Sequence, residues 1–257
     1  MEPLLETVRV TRAFGGLIAV AGVSFRTYAG QIKAIIGPNG AGKTTLFNVI
    51  NGFIKPTTGD VRLRGRSLRD LAVHQVARLG ISRTFQNVQN FGNMTVLENV
   101  MVGRHLMTRT GFLGAGLRLQ RMRKEEKHTQ RKAYEVLARV GLDHRSSELA
   151  ENLSFGEQRL LELARAMATE PELILLDEPV SGLNESEKTA MVDILSQLRQ
   201  QGINLLMVDH DMDLIMNISD EVVVLDRGQK IAEDTPRGVQ NNEEVIRAYL
   251  GEGIRNA

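Results

Sequence analysis

Eight consecutive residues near the N-terminus have the types and spacing that a phosphate-binding loop requires. They fit the pattern G-x-x-x-x-G-K-[ST] at every fixed position, and a second threonine follows: Gly37, Pro38, Asn39, Gly40, Ala41, Gly42, Lys43, Thr44 and Thr45. Glycines let the backbone N–H groups turn inward, and the start of a helix adds positive partial charge. Lys43 could then reach the β- and γ-phosphates of a nucleoside triphosphate, and the Thr44 hydroxyl could hold Mg²⁺.

The residues on either side of this loop predict the strand and the helix that it must join. Residues 32–36 predict a short buried strand, and the apolar residues between 46 and 50 give one face of a helix. Gly52 predicts the end of that helix. An ordinary glycine-rich turn is the alternative, but the complete pattern between a strand and a helix favours nucleoside triphosphate binding.

Two later strands deliver side chains that could act on the same phosphates. The apolar runs at residues 173–176 and 205–208 predict strands buried on both faces, as in a parallel sheet. Asp177 and Glu178 follow the first run and His210 follows the second, at the end where α/β sheets place their ligands. Asp177 could bind Mg²⁺ through water, Glu178 could polarise or deprotonate the attacking water, and His210 could contact the γ-phosphate. Singly, the acidic pair could be a helix N-cap and the histidine structural.

Two further side chains are candidates whose local pattern allows a second interpretation. Phe14 lies between two β segments shortly before the phosphate loop, where its ring could stack on adenine or pack in the core. Ser154 and Glu157 have capping-box spacing, which predicts the start of a helix that would also favour an anion. Thr95 and Glu98 repeat that spacing and predict another helix.

The remaining patterns predict a β-rich part, a helical part and then alternating strands and helices. Alternating apolar and polar residues at 5–10 predict an edge strand, and residues 81–85 predict a strand that ends at Gln86. The pattern after Gln86 is helical. Beyond it we expect a helix over about 185–200 and a hairpin within 222–232.

Composition excludes several classes of protein. The 257 residues include 32 basic and 31 acidic side chains, so no overall field favours nucleic acid. The absence of cysteine fits a reducing compartment and excludes disulfide or cysteine–zinc frameworks. The N-terminus lacks the basic head and apolar run of a signal peptide, and no apolar stretch approaches the ~20 residues of a membrane span. We therefore expect a soluble cytoplasmic protein that takes any membrane role from a partner.

A basic tract between residues 104 and 132 is not explained by nucleotide chemistry. The only acidic residues within it are Glu125 and Glu126, and the glycines in its first part disfavour regular secondary structure. A solvated loop and helix face is the first interpretation, and contact with acidic lipid headgroups is the alternative.

Together these motifs resemble the nucleotide-binding subunits of ABC transporters over essentially the whole chain. Residues 37–45 match the Walker A loop, and residues 173–178 match the Walker B strand with its catalytic glutamate. Phe14 is similar to the adenine-stacking aromatic of the family, Gln86 to the Q-loop residue and His210 to the switch histidine. The resemblance implies that the nucleotide is ATP, that Mg²⁺ accompanies it, and that Gln86 contacts both.

One more match is specific to this family among P-loop proteins. Residues 153–157, Leu-Ser-Phe-Gly-Glu, resemble the signature sequence LSGGQ, and residues 181–184 resemble the D-loop. The resemblance implies that ATP lies between the Walker A loop of one subunit and the signature of another. Ser154 and Gly156 would touch that phosphate, so that two chains form two sites.

Three residues depart from the usual pattern of the family. Phe155 stands for the first signature glycine, Glu157 for the usual glutamine, and Asn184 for the usual D-loop aspartate. Glu178 and His210 are kept, which implies a competent ATPase.

The implied fold is α/β, a P-loop NTPase with an inserted helical subdomain. A RecA-like core with an antiparallel β subdomain would occupy residues 1–86 and 169–257. The α-helical subdomain that carries the signature would occupy residues 87–168.

Finer similarity points to one branch of the family. Residues 83–87, 94–99 and 245–251 are similar to the ATP-binding subunits of branched-chain amino acid importers. That resemblance implies two membrane-spanning permease subunits, a paralogous ATPase or a second copy as dimer partner, and a periplasmic binding protein acting indirectly. The protein would lie at the cytoplasmic face of the inner membrane, without a nucleic acid partner.

Three alternatives stay open at this point. The same ATPase could serve an importer of urea, short amides or other amino acids, since nothing in the chain contacts the solute. A soluble ABC ATPase acting on nucleic acid or ribosomes is opposed by the near-neutral charge and the single ATPase unit. A GTPase is opposed because no Asn-Lys-x-Asp motif follows the loop.

Overall fold

A computed structural model of the protein describes residues 2–84, 89–104 and 119–253. Within those ranges, four strands form an antiparallel sheet: β1 Leu5–Phe14, β2 Leu17–Thr27, β4 Thr58–Leu63 and β5 Arg66–Ser67. Six strands form a second sheet: β3 Ile32–Ile36, β6 Ile81–Arg83, β7 Leu173–Asp177, β8 Asn204–Val208, β9 Glu221–Asp226 and β10 Gln229–Asp234. The described helices are α1 Lys43–Ile50, α2 Val73–Arg78, α3 Val96–Gly103, α4 Leu119–Arg139, α5 Phe155–Met167, α6 Glu185–Gln200, α7 Met212–Ile218, α8 Pro236–Gln240 and α9 Glu243–Gly253.

The centre of the six-stranded sheet is parallel, as the sequence predicts. Its strand order is β10-β9-β3-β8-β7-β6, and only the β9–β10 hairpin is antiparallel among the described pairs. Every residue of β3, β7 and β8 is buried, and alternate side chains enter two separate hydrophobic cores. Parallel pairing with both faces covered brings the carboxyl ends of these strands to one edge of the sheet.

The prediction of an edge strand at residues 5–10 is wrong. β1 lies inside the antiparallel sheet, whose order is β2-β1-β4-β5, and Leu5 is paired with Thr27 on one side and Leu63 on the other. The alternation of apolar and polar residues that suggested an edge strand reflects instead one buried and one exposed face of the sheet. An interior strand of an antiparallel sheet shows the same alternation when one face of the sheet meets solvent.

The described residues between β6 and β7 are mainly helical, as predicted. α3 and α5 begin with capping boxes, because the hydroxyls of Thr95 and Ser154 accept the backbone N–H groups of Glu98 and Glu157. The boundary between residues 86 and 87 falls outside the described ranges, so the division into subdomains stays a prediction. In the part of the chain that the structure describes, no helix is long and apolar enough to cross a membrane.

The basic tract is only partly within the described residues. Arg104, which the sequence assigns to it, is buried: its guanidinium donates to the carbonyl of Ala168 at 3.2 Å and to Glu170 at 3.0 Å. At the other end, Lys132 and Arg131 both pair with Glu135 on the surface of α4. Arg104 therefore anchors the end of α3 and does not belong to a surface patch.

A buried lysine joins the two sheets. Lys33 of β3 is almost completely buried, and its ammonium pairs with Glu221 of β9 at 2.8 Å and Glu233 of β10 at 2.7 Å. The same ammonium donates to the carbonyl of Arg26 and lies 5.6 Å from the ring centroid of Phe25, both on β2. Burial raises the pKa of Glu233, but the hydrogen bonds from Lys230 and Lys33 outweigh it and hold that pKa below its usual value.

Removing this ammonium should weaken the join between the sheets. We expect Lys33→Met to lower the free energy of unfolding by about 2–3 kcal/mol at pH 7, because two partly buried carboxylates lose their shared partner. A lowered carboxyl pKa stabilises the fold above the unfolded value of about 4.3 and loses that contribution as the pH falls through the folded pKa. The difference between wild type and Lys33→Met in urea denaturation should therefore shrink below about pH 4.

The exposed pair on α4 gives the control for this measurement. Lys132→Met also removes a lysine from a carboxylate at 2.8 Å, but both side chains are solvated, so stability should change little. Equal losses in the two variants would show that Lys33 does not join the sheets.

Candidate nucleotide-binding site

The phosphate loop connects β3 to α1 as the sequence predicts. Gly37, Gly40 and Gly42 have φ angles of 148°, 74° and 97°, conformations that side-chain-bearing residues rarely adopt. Gly42 is the N-cap of α1, so Lys43, Thr44 and Thr45 form its first turn. The loop thus leads directly into a helix N-terminus, and a glycine-rich loop followed by a helix N-terminus is the arrangement that binds phosphate.

Neighbouring backbone closes tightly around the loop, which sequence reasoning did not anticipate. A methyl group on Gly37 would overlap the carbonyl of Leu225 in β9, and one on Gly42 would overlap the carbonyl of Ala19 in β2. The turn of the β9–β10 hairpin also donates the N–H of Gly228 to the carbonyl of Ala41 at 3.0 Å. Both sheets therefore fix the loop, and Gly37 and Gly42 are required for space as well as for conformation.

The Lys43 side chain curls back over its own loop. Its ammonium donates to the carbonyls of Gly37 at 2.6 Å and Pro38 at 2.8 Å. The ammonium is therefore held against the loop itself.

Asp177 ends β7 in a buried ion pair that the sequence analysis missed. The guanidinium of Arg83 donates to Asp177 Oδ2 at 2.8 Å and to Asn48 Oδ1 at 2.6 Å, and both charged side chains are buried. Arg83 ends β6, the neighbour of β7 in the sheet, so its position beside a ligand-bearing strand end was a signal available in the sequence.

The same contacts test whether Mg²⁺ fits. Thr44 lies one helical turn before Asn48 on α1, so it shares the face that Arg83 links to Asp177. A hydroxyl and a carboxylate on adjoining elements are oxygen donors of the kind that Mg²⁺ uses, with substrate phosphates and water as further ligands. The donor set therefore fits the metal.

Glu178 and His210 are brought together by the pairing of β7 with β8. The imidazole Nδ1 of His210 lies 3.8 Å from Glu178 Oε1, and the histidine side chain is 70% exposed. Glu178 has a φ of 49°, and its N–H donates to the carbonyl of Val208 at the end of β8 at 2.8 Å. A strained backbone at the end of a strand is common where a side chain must be aimed at a substrate.

Asp209 positions the histidine and was not singled out in the sequence. Its Oδ1 accepts the N–H of His210 at 2.7 Å and the N–H of Asp211 at 2.9 Å, which fixes the turn between β8 and α7. Burial raises the pKa of Asp209, against the opposing effect of these two amides. The sequence could have indicated this residue, because Asp209 lies between the predicted buried strand and His210.

Phe14 and the signature residues lie on other elements. Phe14 ends β1 with 43% of its surface exposed, and the guanidinium carbon of Arg12 lies 4.5 Å from its ring centroid. Ser154 is the N-cap of α5, and Gly156 is buried in its first turn. The adenine and phosphate contacts predicted for these three residues stay predictions. Gln86 lies outside the described residues.

Comparison with known proteins identifies the family. A model of the ABC transporter family matches residues 20–181, and a model of the branched-chain amino acid ATP-binding cassette transporter matches residues 229–254. The chain belongs to the ABC transporter family. It is 43% identical over 252 residues to the high-affinity branched-chain amino acid transport ATP-binding protein LivG of Escherichia coli (strain K12), covering 98% of this chain and 99% of the relative.

Solved structures agree with this assignment. An ATP-binding cassette of an ABC transporter in its ADP conformation superimposes with a TM-score of 0.85 at 32% identity, covering 98% of this chain and 100% of the other. A dimeric cassette in a post-hydrolysis state bound to ADP and Pi gives 0.76 at 26% identity, covering 91% and 99%. The predicted α/β P-loop NTPase fold and the predicted family are both confirmed.

The packing around the loop predicts that two glycines of similar conformation differ in their tolerance of a methyl group. Gly202 has a φ of 85° with nothing within 4 Å of an added Cβ, whereas Gly42 at 97° meets Ala19. We expect Gly202→Ala to cost about 1–2 kcal/mol of unfolding free energy, from the left-handed backbone alone. Gly42→Ala should cost more and also weaken binding of a fluorescent ATP analogue roughly tenfold, a loss of about 1.4 kcal/mol.

Calorimetric or urea unfolding and nucleotide titration measure the two effects. Gly202→Ala must keep wild-type nucleotide affinity, because it lies at the far end of α6. If Gly42→Ala matched Gly202→Ala in both measurements, the loop would have space for a methyl group at Gly42, contrary to the structure.

Proposed function

We propose that this chain is the ATP-hydrolysing subunit of an importer that carries branched-chain amino acids across the inner membrane. The observation that carries the proposal is the 43% identity to LivG along 98% of the chain, with a separate match to the branched-chain transporter model at residues 229–254. The residues of the ATP site itself are common to the ABC transporter family, whose model matches residues 20–181. The match of the C-terminal segment supports the assignment to the branched-chain amino acid importers. The phosphate loop and the strand ends support the proposal of ATP hydrolysis.

In the proposed reaction, the loop amides and Lys43 bind the β- and γ-phosphates of ATP. Thr44 and Asp177, with Gln86, would hold Mg²⁺, which would supply positive charge to offset that of the phosphates. Glu178 accepts a proton from the attacking water, and its place beside Asp177 at the end of β7 supports this role. His210, 3.8 Å from the Glu178 carboxylate, contacts the γ-phosphate and keeps that carboxylate in place.

The working unit is a dimer of ATPase subunits. Ser154 and Gly156 of one chain face the phosphates bound by the loop of the other, as the resemblance to the family signature implies, and the helix N-terminus of α5 favours such an anion. Phe14 supplies the ring against adenine. The partner is a second copy or a paralogous ATPase, and the dimeric relative bound to ADP and Pi supports a paired arrangement.

A groove between the sheet and the helical segment supports docking of the permease subunits. A cavity of about 290 Å³ lies there, lined by residues of α2, β6, α3 and α5. Val73 and Val102 line it with 44% and 38% of their surfaces exposed. Exposed apolar residues near Arg83, at the end of β6, are typical of a surface that binds a protein partner. Their closeness to Arg83 would let a membrane-protein partner respond to the nucleotide site. A subunit held there lies peripherally, at the cytoplasmic face of the membrane, and the binding protein acts on the far side.

The function is tested by uptake and by one variant that separates binding from chemistry. A strain that lacks this chain should lose uptake of labelled leucine, isoleucine and valine, and Glu178→Gln should fail to restore it. The purified variant should bind ATP with wild-type affinity and hydrolyse it at least roughly a hundredfold more slowly, because the water loses its base. It should also accumulate as an ATP-bound dimer.

Two results would contradict different parts of the proposal. Wild-type hydrolysis by Glu178→Gln would remove Glu178 from the chemistry. If the strain lost uptake of urea or short amides but kept uptake of branched-chain amino acids, the ATPase role would stand and the proposed solute would be wrong.

A charge placed in the groove should separate assembly from hydrolysis. We expect Val73→Asp to abolish co-purification with the permease subunits, because a carboxylate would be desolvated on docking. Basal ATPase activity of the isolated subunit should stay unchanged. Ile246→Asp on α9 is the matched control, since Ile246 is 43% exposed and lies outside the groove. Equal co-purification of both variants with the permease subunits would show that the docking surface lies elsewhere.

A further inference from the structure

The first turn of α5 packs against the segment that follows Glu178. A methyl group on Gly182 would lie 2.8 Å from Cε1 and 3.3 Å from Cζ of Phe155. Gly182 has a φ of 79°, so conformation and space both require glycine there. The Phe155 ring therefore rests directly on the backbone of Gly182.

A second contact joins the same two elements. A methyl group on Gly156 would lie 2.5 Å from Oε1 of Glu187, in the first turn of α6. Glu187 is held by a capping box: its carboxylate accepts the N–H of Asn184 at 3.0 Å, and the Asn184 side chain accepts the N–H of Glu187 at 3.0 Å. The first turn of α5 thus has two contacts, one with Gly182 before α6 and one with Glu187 in the first turn of α6.

The Phe155 ring is also supported from behind. The guanidinium carbon of Arg159, one turn along α5, lies 5.3 Å from its centroid. Arg159 is itself buried and pairs with Glu162 at 3.6 Å. The ring, with 46% of the residue's surface exposed, thus lies between a buried guanidinium and the backbone of Gly182.

Gly182 is connected to the catalytic carboxylate by a short turn. The N–H of Ser181 donates to the carbonyl of Glu178 at 3.2 Å, and the N–H of Leu183 donates to the carbonyl of Val180 at 3.2 Å. Glu178 is anchored on its other side by its N–H bond to Val208. A shift of Gly182 would therefore change the backbone angles of Glu178, where φ is already 49°.

We propose that Phe155 is a positioning residue for Glu178 of its own chain. Its ring holds the turn at residues 178–182, so the carboxylate keeps the direction in which it meets the attacking water. This inference rests on the proposed role of Glu178 as the base. It also gives a physical reason for Phe155, where the family more often has glycine: a glycine there could not hold the turn.

The proposal has a consequence for a dimer. Phe155 lies between Ser154 and Gly156, which are proposed to touch ATP bound by the partner. The same first turn of α5 would then contact one nucleotide and aim the base at the other. The two sites of the dimer would be coupled through Phe155.

The first test measures the turn in the isolated chain. In Phe155→Ala, hydrogen–deuterium exchange of the peptide covering residues 178–184 should become several-fold faster, because the amides of Ser181 and Leu183 lose a fixed neighbour. Phe155→Leu, which keeps an apolar group against Gly182, should restore slow exchange. Phe91→Ala is the control, since Phe91 is 43% exposed and also lies under an arginine, Arg165 at 4.9 Å, but away from this turn. Wild-type exchange in Phe155→Ala would overturn the proposal.

The second test separates the two chains of a dimer by kinetics. Two differently tagged subunits, two copies of this chain or this chain and its paralogue, are mixed, and one copy of this chain carries Phe155→Ala. Glu178→Gln, or the matching change in the paralogue, stands either in the same subunit or in the other. With Glu178→Gln in the other copy, the only working base lacks its ring, and kcat should fall roughly tenfold at unchanged KM. With both changes in one copy, the remaining base is intact, and kcat should equal that of the Glu178→Gln mixture alone.

The opposite pattern, loss only when both changes share a copy, would show that Phe155 acts through the partner's ATP and would overturn the proposal. Turnover that persists when both copies carry Glu178→Gln would instead contradict the proposed function. The exchange measurement does not depend on that outcome, so the two failures are distinguishable.

Discussion

The parallel pairing of β3, β7 and β8 is the constraint on which the site depends. Three parallel strands that are buried on both faces end at the same edge, and each leads there into one part of the candidate site. β3 leads into the phosphate loop, β7 into Asp177 and Glu178, and β8 into Asp209 and His210. The 3.8 Å separation of Glu178 and His210, 32 positions apart in the chain (210 − 178), is a direct result of the strand register.

Buried charges do much of the remaining positioning. Arg83 connects Asp177 to α1 through Asn48, so the end of β7 and the helix that carries Thr44 are held by one guanidinium. Lys33 joins the two sheets in the same way at the opposite end of β3. Such pairs are costly to desolvate, so their value lies in fixing one arrangement of elements more than in raising stability.

The three departures from the family pattern each have a structural partner. Phe155 rests on Gly182, and Asn184 caps α6 together with Glu187. Glu157 completes the capping box of Ser154 and accepts a hydrogen bond from Arg145 at 3.2 Å. All three lie where the start of α5 meets the start of α6. Each of the three side chains therefore has a defined contact within its own chain.

The sequence by itself determined the motifs and most of the elements. The phosphate loop, the strand ends at Asp177 and His210, the capping boxes at Thr95 and Ser154, and the ABC family all follow from residue types at fixed local spacing. What only the tertiary structure decided were contacts between segments distant in the chain: the interior place of β1, the burial of Arg104, the Arg83–Asp177 pair and the contact of Phe155 with Gly182. Local spacing cannot encode these, because alternation is the same at an edge and in the interior of a sheet, and a charge pattern does not reveal which partner folding brings within reach.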